Sequence, residues 1–126
     1  MNDKKFTILL IEDEEMLSDM YETKFVKDGY QVKKALDGEQ GLTMASEGVK
    51  PDIILLDIIM PKLDGFSVLK NLKENPSTKN IPVILLTNLG QDEDIKKGQE
   101  LGSAGYLVKA NLTPAQVVEK IKEVLK

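Results

Sequence analysis

The chain contains no histidine, no cysteine and no tryptophan, and aromatic residues make up only 5% of it. Without histidine there is no imidazole general base, no serine-histidine triad and no phosphohistidine formed within the chain itself. Without cysteine, disulfides, thiolate nucleophiles and cysteine-ligated zinc are excluded, a usage that fits a reducing compartment. Positive charge is in deficit: 17 Lys and Arg face 21 Asp and Glu, a formal net charge of −4, so no basic field awaits nucleic acid phosphates or anionic lipid. Apolar runs stay well short of the roughly 18 residues that cross a membrane, and the Met1-Asn2-Asp3-Lys4-Lys5 start lacks the apolar stretch of a signal peptide. No nucleic acid or membrane partner is expected, and the expected location is cytoplasmic.

What is present is an ordinary globular mixture, 41% apolar and 30% charged over 126 residues, which is enough for one core and predicts a single domain over 1–126. An apolar run at Phe6 to Ile11 reads as a strand. Glu12-Asp13-Glu14-Glu15 then opens a helix with apolar residues at Leu17, Met20, Tyr21 and Phe25, closed by Asp28-Gly29. Tyr30 to Leu36 gives a weaker strand, and Asp37-Gly38 turns the chain into a helix through about Glu47. Asp52 to Asp57 is a second strongly apolar strand, followed by a helix from Asp64-Gly65, with Phe66, Leu69 and Leu72 on one side, to Asn75-Pro76. Pro82 to Thr87 repeats the strand signal, with proline at the first position where a missing donor is tolerated. A helix from about Asp92 to Leu101 follows. Gly98 inside it signals either close packing against a neighbour or a helix kept loose, and Gly102 is placed to cap its end. Gly105 to Lys109 is the last strand. Thr113-Pro114-Ala115-Gln116 is a capping box that opens a final helix with Val117, Ile121, Val124 and Leu125 as its stripe.

Five strands alternating with five helices predict an α/β fold: a parallel five-stranded sheet with helices on both faces, because each parallel connection must cross over right-handedly. The first, third and fourth strands are near-continuously apolar and belong in the centre, while the second and fifth belong at the edges. This leaves the flavodoxin-like order 2-1-3-4-5, in which ligands bind beyond the carboxyl ends of the strands where the winding reverses.

The residues at those ends are Glu12 with Asp13, then Asp57, then Thr87, then Lys109. Two unit charges 4 Å apart repel by about 4 kcal/mol at an effective dielectric near 20, so Asp13 and Asp57 do not stay close and bare at neutral pH. Either one takes up a proton or a cation joins them. With oxygen ligands alone the cation is a hard one, and an open site of two or three carboxylates suits Mg²⁺. Lys109 adds a point positive charge, the Thr87 hydroxyl can donate to a phosphoryl oxygen, and the Asp57 carboxylate is a competent nucleophile toward phosphorus.

With Glu12-Asp13 after the first strand, Asp57-Ile58-Ile59-Met60-Pro61 and Asp64-Gly65 after the third, Thr87 ending the fourth and Gly105-Tyr106-Leu107-Val108-Lys109 in the fifth, the chain resembles the receiver domain of two-component response regulators along its whole length. The resemblance implies that Asp57 is the phosphoacceptor. It also implies that Asp13, Asp57 and the backbone carbonyl of Ile59 hold Mg²⁺, with Glu12 reaching the ion through water. The same resemblance implies that Thr87 and Lys109 grip the phosphoryl group and that Tyr106 is the switch aromatic, turning inward when Thr87 moves. The implied phosphodonor is a histidine kinase or a phosphotransfer protein. Output is expected through a downstream protein that reads the face of the fourth helix, fifth strand and fifth helix, with a homodimer on phosphorylation as a further possibility. The chain is expected to phosphorylate and dephosphorylate itself with Mg²⁺ rather than turn over an external substrate. Two departures stand out: Ala110 follows Lys109 where the family usually has proline, and Asn88 follows Thr87 where it usually has a small residue. A cis bond before Ala110 would cost about 3 kcal/mol, so a trans bond is expected there.

Simpler readings exist for each residue. Glu12 and Asp13 can serve as helix-capping acids, Thr87 as a β-branched strand residue, Lys109 as a surface lysine and Tyr106 as a strand aromatic. Their arrival in order at four strand ends is what outweighs these readings. Among rivals, a haloacid-type phosphatase needs a second acid two residues after the nucleophile, where Ile59 stands. A flavodoxin-type carrier needs a Ser/Thr/Gly phosphate loop where Glu12 to Glu15 stand. A phosphorylation-independent interaction module of the same fold remains the alternative.

Overall fold

The computed structural model describes residues 6–125. Along them run β1 (Thr7–Ile11), α1 (Glu15–Lys27), β2 (Gln31–Ala35), α2 (Gly38–Glu47), β3 (Ile53–Leu56), α3 (Gly65–Glu74), β4 (Val83–Thr87), α4 (Asp92–Glu100), β5 (Gly105–Val108) and α5 (Pro114–Leu125), with one 3-10 turn over Lys109–Asn111. The strands form one sheet, parallel as the alternation of elements predicts, in the expected flavodoxin-like order β2-β1-β3-β4-β5. The bulk of β1, and all of β3 and β4, is buried; β2 and β5 at the edges are only partly so.

Side chains alternate between two cores because successive residues of a strand point to opposite faces. Leu9, Ile11, Ile54, Leu56 and Leu85 pack under α2 and α3 with Val68, Leu69 and Leu72. Ile8, Leu10, Ile53, Leu55, Ile84 and Leu86 pack under α1 and α5 with Tyr21, Phe25, Val117 and Ile121. Two helix stripes differ from the expected ones. Val118 is buried in α5 while Val124 is 42% exposed, and in α1 the inward position belongs to Ser18 while Met20 is 47% exposed. The buried face of α5 carries Val117, Val118 and Ile121, with Leu125 packed against the same core, so Val124 falls at the edge of that face.

Caps set where the helices begin. The Asp37 side chain accepts from Gln40 N at 2.8 Å and that of Asp64 from Ser67 N at 3.1 Å. In the Thr113 box, Gln116 N donates to Thr113 Oγ1 (3.2 Å) and Thr113 N donates to Gln116 Oε1 (2.8 Å). Gly98 answers to close packing: a Cβ there would lie 2.7 Å from Leu85 Cδ1 and 3.3 Å from Tyr106 Cδ2. No peptide bond among the described residues is cis, and Lys109-Ala110 is trans.

The helix start that matters most for the site is Gly65. Its N–H donates to the Ile58 carbonyl at 2.8 Å, and a Cβ would stand 2.2 Å from the Asp57 carbonyl oxygen and 2.6 Å from Ile58 Cα. Those neighbours are backbone and cannot swing aside. Gly65→Ala is therefore expected to lower stability by about 1–3 kcal/mol, the range for forced overpacking. Urea denaturation checks this, and an unchanged midpoint would show that the segment after β3 does not press on the start of α3.

Candidate functional site

Parallel pairing delivers the site residues side by side. Ile11 pairs with Leu56, and Thr87 pairs with Val108, so the next residues along each strand leave the sheet together. Asp57 N donates to the Ile11 carbonyl at 3.0 Å and Glu12 N to the Ala35 carbonyl at 3.1 Å, which carries the ladder one step beyond the strand ends. There Asp13, Glu14, Asp57, Ile59, Thr87, Asn88 and Lys109 line a pocket of about 240 Å³. Larger hollows of about 460 and 410 Å³ lie near the C-terminal ends of α2 and α3, but each is lined by a single carboxylate.

The charges within the site are arranged around Lys109. Its Nζ lies 2.5 Å from Glu12 Oε1 and 3.0 Å from Asp57 Oδ2, with all three side chains almost wholly removed from solvent. Asp13 and Asp57 come close, as the sequence leads one to expect, each offering an oxygen within 4.8 Å of the other; the buried like-charged pair, however, is Glu12 and Asp57, and Asp13 stands exposed at the mouth. Both remedies for repulsion are in use. The ammonium bridges the two carboxylates, and Glu12 is pushed up to about 7, first by burial and further by the charge of Asp57, against the lowering effect of its bond from Lys109. Burial alone would pull Lys109 down, but its hydrogen bonds to Glu12 and Asp57 prevail and hold it above the ordinary lysine value.

Backbone donors fix the remaining orientation. Asp57 Oδ1 accepts from Ile58 N at 2.7 Å, and Glu12 Oε2 accepts from Glu14 N at 3.1 Å. Past Ile59 the chain makes a tight turn in which Leu63 N donates to the Pro61 carbonyl (2.8 Å) and Lys62 takes φ 70°, a left-handed conformation that lysine adopts only under constraint. Thr87 is buried and its Oγ1 accepts weakly from Leu89 N at 3.4 Å. Tyr106 is half-buried, and its hydroxyl donates to the Leu89 carbonyl. Burial, with the charges of Asp94 and Asp57 behind it, pushes that phenol up to about 12, so it stays a donor throughout the physiological range.

Glu12, Asp13, Asp57, Ile59, Thr87 and Lys109 thus gather at the carboxyl end of the sheet, whereas Tyr106 pairs with Leu85 inside the sheet and reaches the segment after β4 only through its hydroxyl. Three further details escaped that reading: the Lys109 bridge, the acceptor role of Leu89, and a hydrogen bond from Ala110 N to Asn88 Oδ1 at 3.1 Å. Lys109 itself sits in the 3-10 turn rather than in the last strand.

The donor set fits a hard divalent cation. One carboxylate oxygen from each of Glu12, Asp13 and Asp57 lies within 4.8 Å of the others, and neither histidine nor cysteine competes. Such a cation must displace the Glu12 proton or share the carboxylates with Lys109. Glu12's contribution to the stability of the metal-free protein is full below its ordinary value near 4.5 and is lost as pH rises through about 7. Stabilisation by Mg²⁺, about 2.7 kcal/mol at a hundredfold excess over Kd, is expected to be larger at pH 8 than at pH 5.5. Thermal unfolding with and without Mg²⁺ at the two values measures it, and a gain independent of pH would remove Glu12 from the site.

Comparison with known proteins agrees with this geometry. The family model described as "Response regulator receiver domain" matches residues 8–122. The DNA-binding dual master transcriptional regulator RpaA of Synechocystis is 40% identical over 102 residues, 81% of this chain and 42% of that protein. Across the curated relatives that head the comparison the chain spans half of their length or less. Among solved structures, the Vibrio cholerae chemotaxis protein CheY4 superposes with a TM-score of 0.88 at 26% identity, covering 96% of this chain and 99% of that one. The Mn(2+)-bound form of response regulator Rcp1 superposes with a TM-score of 0.83 at 28% identity, covering 95% and 94%.

Proposed function

The chain belongs to the response regulator receiver domain family, and from that premise we propose that it is a signal receiver whose Asp57 accepts a phosphoryl group from a partner's phosphohistidine. The observation that carries the reading is the pocket itself: a buried carboxylate held at a strand end beside two more acids, with Lys109 within hydrogen-bonding distance. An Asp57 carboxylate oxygen attacks phosphorus, the bond from phosphorus to the imidazole nitrogen breaks, and the imidazole leaves with a proton from solvent. The product is an acyl phosphate, later lost to water, so the chain turns over no external substrate.

Mg²⁺ is the cofactor this reading requires; Asp13, Asp57 and the Ile59 backbone carbonyl would hold it, with Glu12 behind, and it would supply neutralisation of the phosphoryl charge. The Mn(2+)-bound form of the structurally similar response regulator Rcp1 supports a divalent cation as the cofactor. The chain's own groups do the rest. Ile58 N holds one Asp57 oxygen so that the carboxylate keeps a fixed orientation. Lys109 leaves Glu12 for the phosphoryl oxygens, the Thr87 hydroxyl donates to another of them, and the Leu89 segment follows Thr87 while Tyr106 takes the vacated space. The face of α4, β5 and α5 then changes for a downstream partner, or for a second copy of the chain.

The phosphodonor on this reading is a histidine kinase or phosphotransfer protein. A docking partner would meet apolar surface close to the pocket: Met16, one turn beyond Asp13, is 80% exposed, and Ile59 at the pocket wall is 60% exposed. The described residues contain no helix long and apolar enough to cross a membrane. We place the chain in the cytoplasm as a single receiver domain.

Labelling by acetyl phosphate in Mg²⁺ is expected to vanish in Asp57→Asn, and retained acid-labile label would overturn the assignment. Lys109→Ala is expected to bind Mg²⁺ within a few fold of the parent yet to lose the response to beryllofluoride, read as partner capture with treated and untreated protein. Full switching without Lys109 would refute its role. Failure of the parent chain to bind Mg²⁺ would favour the phosphorylation-independent module instead.

A further inference from the structure

Asn88 and Ala110 immediately follow Thr87 and Lys109, the two residues assigned to the phosphoryl oxygens. Thr87 closes β4 opposite Val108, the last residue of β5. Beyond that pair the two chains diverge, one toward the Gln91 cap of α4 and the other into the Lys109–Asn111 turn. Ala110 N donates to Asn88 Oδ1 across the gap, at 3.1 Å. Lys109 is therefore held on both sides: before it by the β4 ladder, and after it by the Asn88 bond, with its own carbonyl accepting from Leu112 N at 3.2 Å.

This matters because alanine leaves its backbone free to rotate, whereas a proline at the same place would lock φ and offer no N–H. Here the constraint on the direction in which the lysine leaves the sheet comes from a side chain instead. Because Asn88 is covalently next to Thr87, that constraint also fastens the two phosphoryl-contacting residues to each other. Its acceptor oxygen is occupied by Ala110, so the carboxamide is turned toward the Lys109 turn although Asn88 lines the pocket.

We infer that Asn88 is a positioning residue: through the Ala110 N–H it holds the Lys109 turn, so that Lys109 and Thr87 reach the phosphoryl group as one unit. The inference rests on the reading of the pocket as a phosphoryl site. It assigns Asn88 no contact with metal, phosphorus or attacking water.

The test measures two affinities on the full chain, for Mg²⁺ alone and for beryllofluoride in saturating Mg²⁺, in the parent, Asn88→Ala, Ala110→Pro and the double variant. Loss of one neutral hydrogen bond corresponds to roughly two- to tenfold. Beryllofluoride affinity is expected to fall by that factor in Asn88→Ala and by no more than that in Ala110→Pro, which removes the N–H but locks φ, while Mg²⁺ affinity holds within twofold. The double variant is expected to be no weaker than the weaker single one, since both remove the same bond. Exchange of the Ala110 amide hydrogen in Asn88→Ala is expected to accelerate by a similar factor. Parent-like beryllofluoride affinity in Asn88→Ala overturns the inference, as do parallel losses for both ligands, multiplicative losses in the double variant, or unchanged amide exchange. A parent chain that binds Mg²⁺ and ignores beryllofluoride instead brings down the phosphoryl reading, and the inference with it.

Discussion

One ammonium group ties the first, third and fifth strands together where the sheet meets solvent. Lys109 Nζ reaches Glu12 Oε1 and Asp57 Oδ2 at hydrogen-bond distance in a place almost closed to water. Desolvating three ionisable groups costs several kcal/mol each, and their attraction repays it only with good geometry and further hydrogen bonds. Both conditions hold, since Ile58 N and Glu14 N take the remaining carboxylate oxygens and Glu12 carries part of a proton near neutrality. Such a knot contributes little net stability. Its consequence is a poised one: a new cation or anion entering the pocket changes the partners of every member at once.

The rest of the molecule makes that knot possible. Two apolar layers hold β1 and β3 rigidly side by side, so Glu12 and Asp57 cannot separate to relieve their repulsion. Gly65 lets the start of α3 press against the Asp57 carbonyl, which a side chain of any size would prevent. Asp57 is thus hydrophobically framed and polar only at its tip, which explains how an otherwise apolar strand ends in an acid.

Much of this was legible in the sequence because the signals were local. Strand and helix order followed from apolar periodicity with Gly, Pro and Asp punctuation, and the continuously apolar runs marked β1, β3 and β4 as central and β2 and β5 as edges. The acids, threonine and lysine fell at strand ends that parallel pairing must bring to one edge. What could not be read depended on distances across the fold. Whether Asp13 or Glu12 turns inward against Asp57 is a matter of side-chain direction at the top of one strand, and both are acids one residue apart. The bond between Asn88 and Ala110 spans 22 positions, and neither residue announces it. Val118 and Val124 differ in burial because the inward face of α5 is the one shared by Val117, Val118, Ile121 and Leu125, and Val124 lies at its margin.

The energetics of the proposed switch can be bounded from the contacts that hold the segment after β4. In this conformation it is fixed by the Tyr106 hydroxyl on the Leu89 carbonyl, by the long bond from Leu89 N to Thr87 Oγ1, and by the Asn88 bond to Ala110 N. Neutral bonds contribute about 0.5–1.5 kcal/mol each, while bonds to a charged partner contribute about 1.5–3. Two charge-assisted bonds to phosphoryl oxygens, from Thr87 and Lys109, are together worth roughly 3–6 kcal/mol. Driving a two-state equilibrium from almost wholly one form to almost wholly the other takes about 5.5 kcal/mol. The margin is narrow, so a switch built on these groups works only if few resting contacts must be broken. Keeping the Asn88 bond intact during the movement, with both loops travelling together, lowers what the phosphoryl group has to supply. A constraint that moves with the lysine is therefore better suited to this pocket than one that must be released.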